Sequence, residues 1–134
     1  MKNKRPRLGS AVIVEKDCKI LLGKRNKKNA FGKWVIPGGG VRYGETIKEA
    51  AVREIKEETN LDIELVKAIG FKEIINLPGD YHTIVFFHLA KPKNMNIKAN
   101  EDISEIGFFT IDEIKKLDTV ESVEWVLRKA GLWR

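Results

Sequence analysis

Cysteine is nearly absent from this chain: Cys18 stands alone, so no internal disulfide can form, which agrees with a reducing compartment. Between charged neighbours it reads as a packed or half-exposed thiol rather than a nucleophile. No apolar run approaches the ~18–20 residues that cross a bilayer, which leaves no membrane partner to expect. The opening residues, Met1 to Ser10, are basic, and charged Glu15 and Lys16 arrive before an apolar stretch of signal-peptide type can form. The expected location is cytoplasmic. Repeats and low-complexity linkers are also missing, and 134 residues suffice for one domain, 1–134, but not two.

What is present is an ordinary globular composition, 43% hydrophobic and 33% charged, which excludes a disordered tail. The net charge is +6, with basic clusters at Lys2, Lys4, Arg5 and Arg7 and at Lys24, Arg25, Lys27 and Lys28. That excess favours anionic partners, whether nucleotides, nucleic acid or phosphorylated metabolites, without choosing among them.

Leu8 to Val14 and Lys19 to Lys24 read as strands of a hairpin turning at Glu15-Lys16-Asp17. A polar loop, Arg25 to Lys33, leads to a short strand, Trp34-Val35-Ile36. Pro37-Gly38-Gly39-Gly40 should end that strand, since proline lacks the ladder donor and glycines permit unusual backbone angles. Thr46 and Glu49 form a capping box for a helix that Asn60 can close in a left-handed cap. Ile63 to Ile75 is extended but broken by Gly70, and a turn at Asn76 to Asp80 precedes a strand from Tyr81 to Leu89. After a polar loop come a strand at Ile106 to Phe109 and a short helix opened by Thr110 and Glu113. Val120, Val123, Val126, Leu127 and Ala130 then line a C-terminal helix that Gly131 stops. Interspersed strands and helices predict a layered α/β domain.

The first helix breaks its own pattern. A buried stripe from Ile47 takes positions 47, 50, 51, 54, 55 and 58, and the chain places Glu54 and Glu58 in it. Glu57 lies three residues from Glu54, so three carboxylates share about a third of the helix circumference. A solvated acidic face paired with Arg53 and Lys56 would be the ordinary explanation. A hard divalent cation also resolves the repulsion, because Mg²⁺ takes a few carboxylates together with phosphate oxygens and water.

The flanking residues decide between these. Gly39, five residues, Glu45, seven residues, then Arg53-Glu54-Ile55-Lys56-Glu57-Glu58-Thr59-Asn60-Leu61 resembles the Nudix box, G-x5-E-x7-R-E-U-x-E-E-x-G-U with U aliphatic. Every defined position matches except the last glycine, here Asn60, the best non-glycine residue for a left-handed cap. The lead-in Gly32-Lys33-Trp34-Val35-Ile36-Pro37-Gly38-Gly39 is similar as well. The resemblance implies a single-domain α/β/α sandwich with a mixed sheet and a hydrolase that uses Mg²⁺, with Mn²⁺ as substitute. It implies metal ligation by Glu54, Glu57, Glu58 and the Gly39 carbonyl, with Glu54 also orienting the attacking water. Arg53 would hold the glutamates in place, Glu45 would be a ligand or an outer support, and Glu101 or Glu105 would add a further carboxylate.

Other residues point less sharply. His82 and His88 share a strand face without a ligand-spaced Cys or carboxylate, so structural roles are expected. Phe31 and Trp34 are candidates for base stacking, with core packing preferred for Trp34. Lys24, Arg25 and Arg42 are candidates for phosphate contacts.

The resemblance implies a small-molecule nucleotide substrate rather than nucleic acid, and leaves a homodimer open. Nucleoside diphosphate sugars, ADP-ribose included, rank slightly ahead of MutT-like cleavage of (d)NTPs. Leu21 to Asn26 is similar to the opening of GDP-mannose mannosyl hydrolases. The arginine those enzymes carry after the double glycine is Gly40 here, and no late-chain histidine stands ready as base, so attack at phosphorus is expected. A non-catalytic nucleotide- or RNA-binding module would ordinarily have lost a box glutamate, and none is lost.

Overall fold

Apolar runs too short for helices pair into one mixed sheet in the computed structural model, which describes residues 4–26 and 31–134. Lys2, Lys27 and Lys28 of the basic clusters lie outside the described residues. The strands are β1 (Arg7–Lys16), β2 (Lys19–Arg25), β3 (Trp34–Val35), β4 (Gly38–Gly40), β5 (Ile63–Asn76), β6 (Tyr81–Pro92) and β7 (Ile103–Phe109). Helices α1 (Ile47–Thr59), α2 (Ile111–Ile114) and α3 (Glu121–Lys129) complete the chain. The main strand order is β3-β2-β1-β6-β5, with β4 added to β1 and β7 to β2. Only β1 and β6 run parallel among the named strand pairs; the others are antiparallel.

Alternation along β1 separates two cores. Val12 and Val14 pack with Ala51 and Ile55 of α1, while Ala11 and Ile13 pack with Val123, Val126 and Leu127 of α3. One helix therefore covers each face, which is the expected α/β/α sandwich. β1 meets β2 only at its end, Glu15 to Ile20 and Lys16 to Lys19, and gives its beginning to β4. That division carries Gly38–Gly40 alongside α1.

Several elements differ from expectation for physical reasons. The hairpin turns at Asp17 and Cys18, both with positive φ, as a tight primed turn requires, so β1 extends through Lys16. Gly70 does not break β5; the irregularity is absorbed by two bulges, between Leu65 and Lys67 and between Ala68 and Gly70. β7 starts at Ile103 because β2 remains available for pairing as far as Arg25. The three glycines after Pro37 form a strand rather than a turn, and none of them has positive φ. A Cβ on Gly38 would overlap the backbone of Ser10 and Ala11, so glycine serves close approach there.

Candidate active site

α1 is fixed at both ends before its carboxylates are considered. Thr46 Oγ1 accepts from the Glu49 N–H at 3.0 Å and Glu49 accepts from the Thr46 N–H at 2.9 Å, completing the capping box. Ser10 Oγ donates to the Ile47 carbonyl at 3.0 Å, tying the first turn to β1. At the far end Asn60 adopts φ +65°, and its amide Nδ2 donates to the Asn96 carbonyl at 2.8 Å. A glycine could supply the first of these but not the second.

On the helix face turned toward β4, Arg53 organises the acidic residues. Its Nε and Nη2 donate to the two oxygens of Glu45 at 2.7 and 2.9 Å. Nη1 donates to Glu54 at 2.7 Å and Glu57 at 3.2 Å, and Nη2 also reaches the Gly40 carbonyl at 2.8 Å. The fork is thus spread over three carboxylates and the β4 backbone. Glu45 takes a further hydrogen bond from the Arg42 N–H at 3.0 Å. The Arg53 hydrogen bonds, with the Arg42 N–H second, hold the Glu45 carboxyl down at about 2. The same pairing with Glu45 raises Arg53 above the ordinary guanidinium value. Glu45 is thereby committed to the arginine and the loop.

Glu58 is only 5% exposed and accepts from the Gly38 N–H at 2.8 Å, so a carboxylate sits in the buried stripe because β4 brings a donor to it. Glu54 projects onto Gly39, where a Cβ would overlap its carboxylate. The sequence signals Gly39 through its box position. Gly38 as a donor, Gly40 as an acceptor and Ser10 as a tether carry no such signal, because each acts through a backbone contact made only in the fold.

The remaining candidates separate. Lys24 and Glu105 face each other across β2 and β7 and form an exposed ion pair at 3.2 Å. Glu101 lies in the turn before β7, its carbonyl accepting from Asn26 Nδ2 at 3.3 Å. Arg42 reaches Glu57 at 3.4 Å, and Arg25 ends β2, its backbone bonded to Gly32 and Lys33. Trp34 is half-buried, edge-on to Phe109 at 5.0 Å between ring centres, whereas Phe31 is 69% exposed. His88 is buried and its Nδ1 has no hydrogen-bond partner among the described residues; burial, with Lys48 nearby, lowers its pKa. His82 is half-buried.

Glu54 packs against Gly39, and Glu57 and Glu58 follow on the same helix; with the Gly39 carbonyl these groups offer oxygen atoms only, the kind a hard cation prefers. Among the described residues no three acidic or histidine side chains close around a common point. The cause is visible, since Arg53 draws Glu54 and Glu57 and the Gly38 N–H engages Glu58. A groove of about 540 Å³ runs along α1, lined by Lys48, Glu49, Val52, Arg53, Lys56 and Leu65, so Arg53 borders both it and the carboxylate cluster.

Comparison with known proteins matches residues 4–129 to the NUDIX domain. The chain belongs to the Nudix hydrolase family. Its likeness to the nucleoside triphosphatase NudI of Enterobacter sp. (strain 638) is 31% identity over 131 residues, covering 90% of this chain and 93% of that protein. The ADP-ribose pyrophosphatase of Methanocaldococcus jannaschii is 38% identical over 105 residues, covering 78% of this chain; the aligned region spans 62% of that relative's length. In structure, a MutT Nudix hydrolase from Burkholderia pseudomallei superposes with a TM-score of 0.87 at 25% identity, over 94% of this chain and 98% of its own. Nudix hydrolases generally use divalent metals, which accords with the donor set here. No helix among the described residues of this Nudix hydrolase is long and apolar enough to cross a membrane.

Proposed function

We propose that this protein hydrolyses the diphosphate linkage of a small-molecule nucleoside diphosphate derivative with Mg²⁺ or Mn²⁺, by attack of water at phosphorus. The observation that carries this reading is the Arg53 network, which gathers Glu45, Glu54, Glu57 and the β4 backbone beside Gly39. Glu54, Glu57, Glu58 and the Gly39 carbonyl would hold the cation. When bound, such a cation would lower the pKa of the attacking water and offset charge on the leaving phosphate. Arg53 keeps Glu54 and Glu57 on the reacting side of α1, and Glu54 orients the water. Glu45 acts through Arg53 as a positioning residue.

Nucleotide sugars, ADP-ribose among them, rank ahead of (d)NTPs. The ADP-ribose pyrophosphatase relative has the higher identity, whereas the nucleoside triphosphatase relative matches over nearly its whole length, which keeps MutT-like cleavage as the second reading. Gly40 in place of an arginine speaks against sugar-carbon attack of the GDP-mannose hydrolase kind.

A substrate panel tests the proposal: ADP-ribose, GDP-mannose, dinucleoside polyphosphates and (d)NTPs, each with and without Mg²⁺, followed by hydrolysis in ¹⁸O water. The expected outcome is metal-dependent turnover with label in a phosphate product. Label only on the sugar would overturn attack at phosphorus. Absence of turnover from neutral to alkaline pH would leave a binding module in place of an enzyme.

A further inference from the structure

The sheet ends at β5 in an edge that carries its own complement. β5 is the terminal strand of the order β3-β2-β1-β6-β5 and runs for 14 residues, more than twice the typical ~5–6. Long edges template pairing with another chain unless they are guarded. Here Val66 is 49% and Phe71 55% exposed on that strand, and no proline interrupts it.

The register with β6 assigns each β5 residue to a face. Leu65, Ala68, Phe71 and Glu73 stand opposite Ala90, His88, Phe86 and Ile84, on the α1 side. Glu64, Lys67 and Lys72 stand opposite Lys91, Leu89 and Val85, on the α3 side. A second copy laid antiparallel against this edge, about a two-fold axis normal to the sheet at Ala68, keeps both faces continuous. It sets Glu64 opposite Lys72 on the α3 side and Leu65 opposite Phe71 on the α1 side, each twice. At the axis the small Ala68 side chains meet, where bulk would obstruct. The partly exposed Val52 and the groove beside Leu65 adjoin this line, so apolar surface continues from the strand onto α1.

We propose that β5 is the contact of an isologous homodimer, formed by antiparallel pairing of the two β5 edges around Ala68, with Glu64–Lys72 ion pairs and Leu65–Phe71 contacts across the axis. Opposite charges placed across an antiparallel pair favour it and like charges oppose it. The pairing uses none of Glu54, Glu57 and Glu58, so the proposal does not rest on the catalytic reading.

Charge reversal tests it on the full chain. Analytical ultracentrifugation from low to high micromolar concentration should give a dimer for the wild type. Glu64→Lys and Lys72→Glu should each weaken the dimer at least ~10-fold through two like-charge contacts, and the double reversal should restore it. Circular dichroism and melting temperature check that each variant is folded, and Glu64→Lys covers the case that Lys72→Glu disturbs its contact with Trp125. A wild type that stays monomeric throughout would mean that the two bulges guard the edge, and would overturn the proposal. A dimer indifferent to both reversals would place the interface elsewhere and overturn it equally.

Discussion

Helices α1 and α3 cover opposite faces of one sheet, yet they are built on different terms. α3 follows the amphipathic rule: Val123, Val126 and Leu127 are buried, acidic residues occupy its first turn and basic ones its last, and Glu124–Arg128 pair at 2.8 Å on the outside. α1 buries Ala50, Ala51 and Ile55 in the same way and then buries Glu58 among them. Its stripe trades apolar contact for carboxylates, and the cost is offset by donors from Arg53 and the Gly38 backbone. A helix that only had to pack would look like α3. The departure of α1 from that pattern falls at the positions proposed to serve chemistry.

Substitutions that separate packing from turnover carry the largest expected effects. Glu58→Gln should reduce turnover by about 10²–10⁴-fold, the equivalent of several kcal/mol of lost transition-state stabilisation, while the protein stays folded. Near wild-type turnover with unchanged Mg²⁺ dependence would remove Glu58 from the metal site. Leu127→Ala on α3 should do the reverse. It deletes a fully buried side chain and should cost about 2–5 kcal/mol in urea unfolding, with turnover per folded molecule unchanged.

The carboxylate pattern of α1 was legible because helical periodicity and box spacing are local. The layered α/β class came from the interspersing of strands and helices, and the α/β/α sandwich from the family resemblance. The illegible part was tertiary. Asn60 looks like a plain substitute for a cap glycine until its amide is seen on Asn96. Gly38 looks like a turn residue until its N–H is seen on Glu58 and its missing Cβ against Ser10. The open alternatives for Glu45 narrow once both its oxygens are engaged by Arg53 and the Arg42 N–H. His88 gives no sequence sign that its Nδ1 is buried without a partner among the described residues.

That histidine lies under α1 without a donor of the kind that satisfies Glu58. His88→Leu should stabilise the fold by about 1 kcal/mol by removing an unsatisfied buried group. It should also flatten the acid side of the stability profile. Because the folded pKa of His88 lies below its unfolded value, its neutral form supports the fold above about pH 6.5, and stability declines as pH falls below that. A wild-type profile with no such decline relative to the variant would contradict the assignment. Asn60→Gly carries the smallest expected effect. Glycine relieves left-handed strain of about 1 kcal/mol and forfeits a hydrogen bond of about the same worth, so thermal unfolding should shift little.

The acidic side of α1 is proposed to bind a divalent cation that competes with Arg53 for its carboxylates. Thermal unfolding with and without Mg²⁺, wild type beside Glu57→Gln, tests this most directly. The metal-free proteins should differ by no more than about 1 kcal/mol, the worth of the two partly exposed ion pairs that Glu57 makes with Arg42 and Arg53. Saturating Mg²⁺ should raise the melting temperature of the wild type, by the equivalent of about 2.7 kcal/mol at a hundredfold excess over Kd, and that of Glu57→Gln much less. An equal rise in both proteins, or none in the wild type, would show that these carboxylates form an acidic surface and not a metal site.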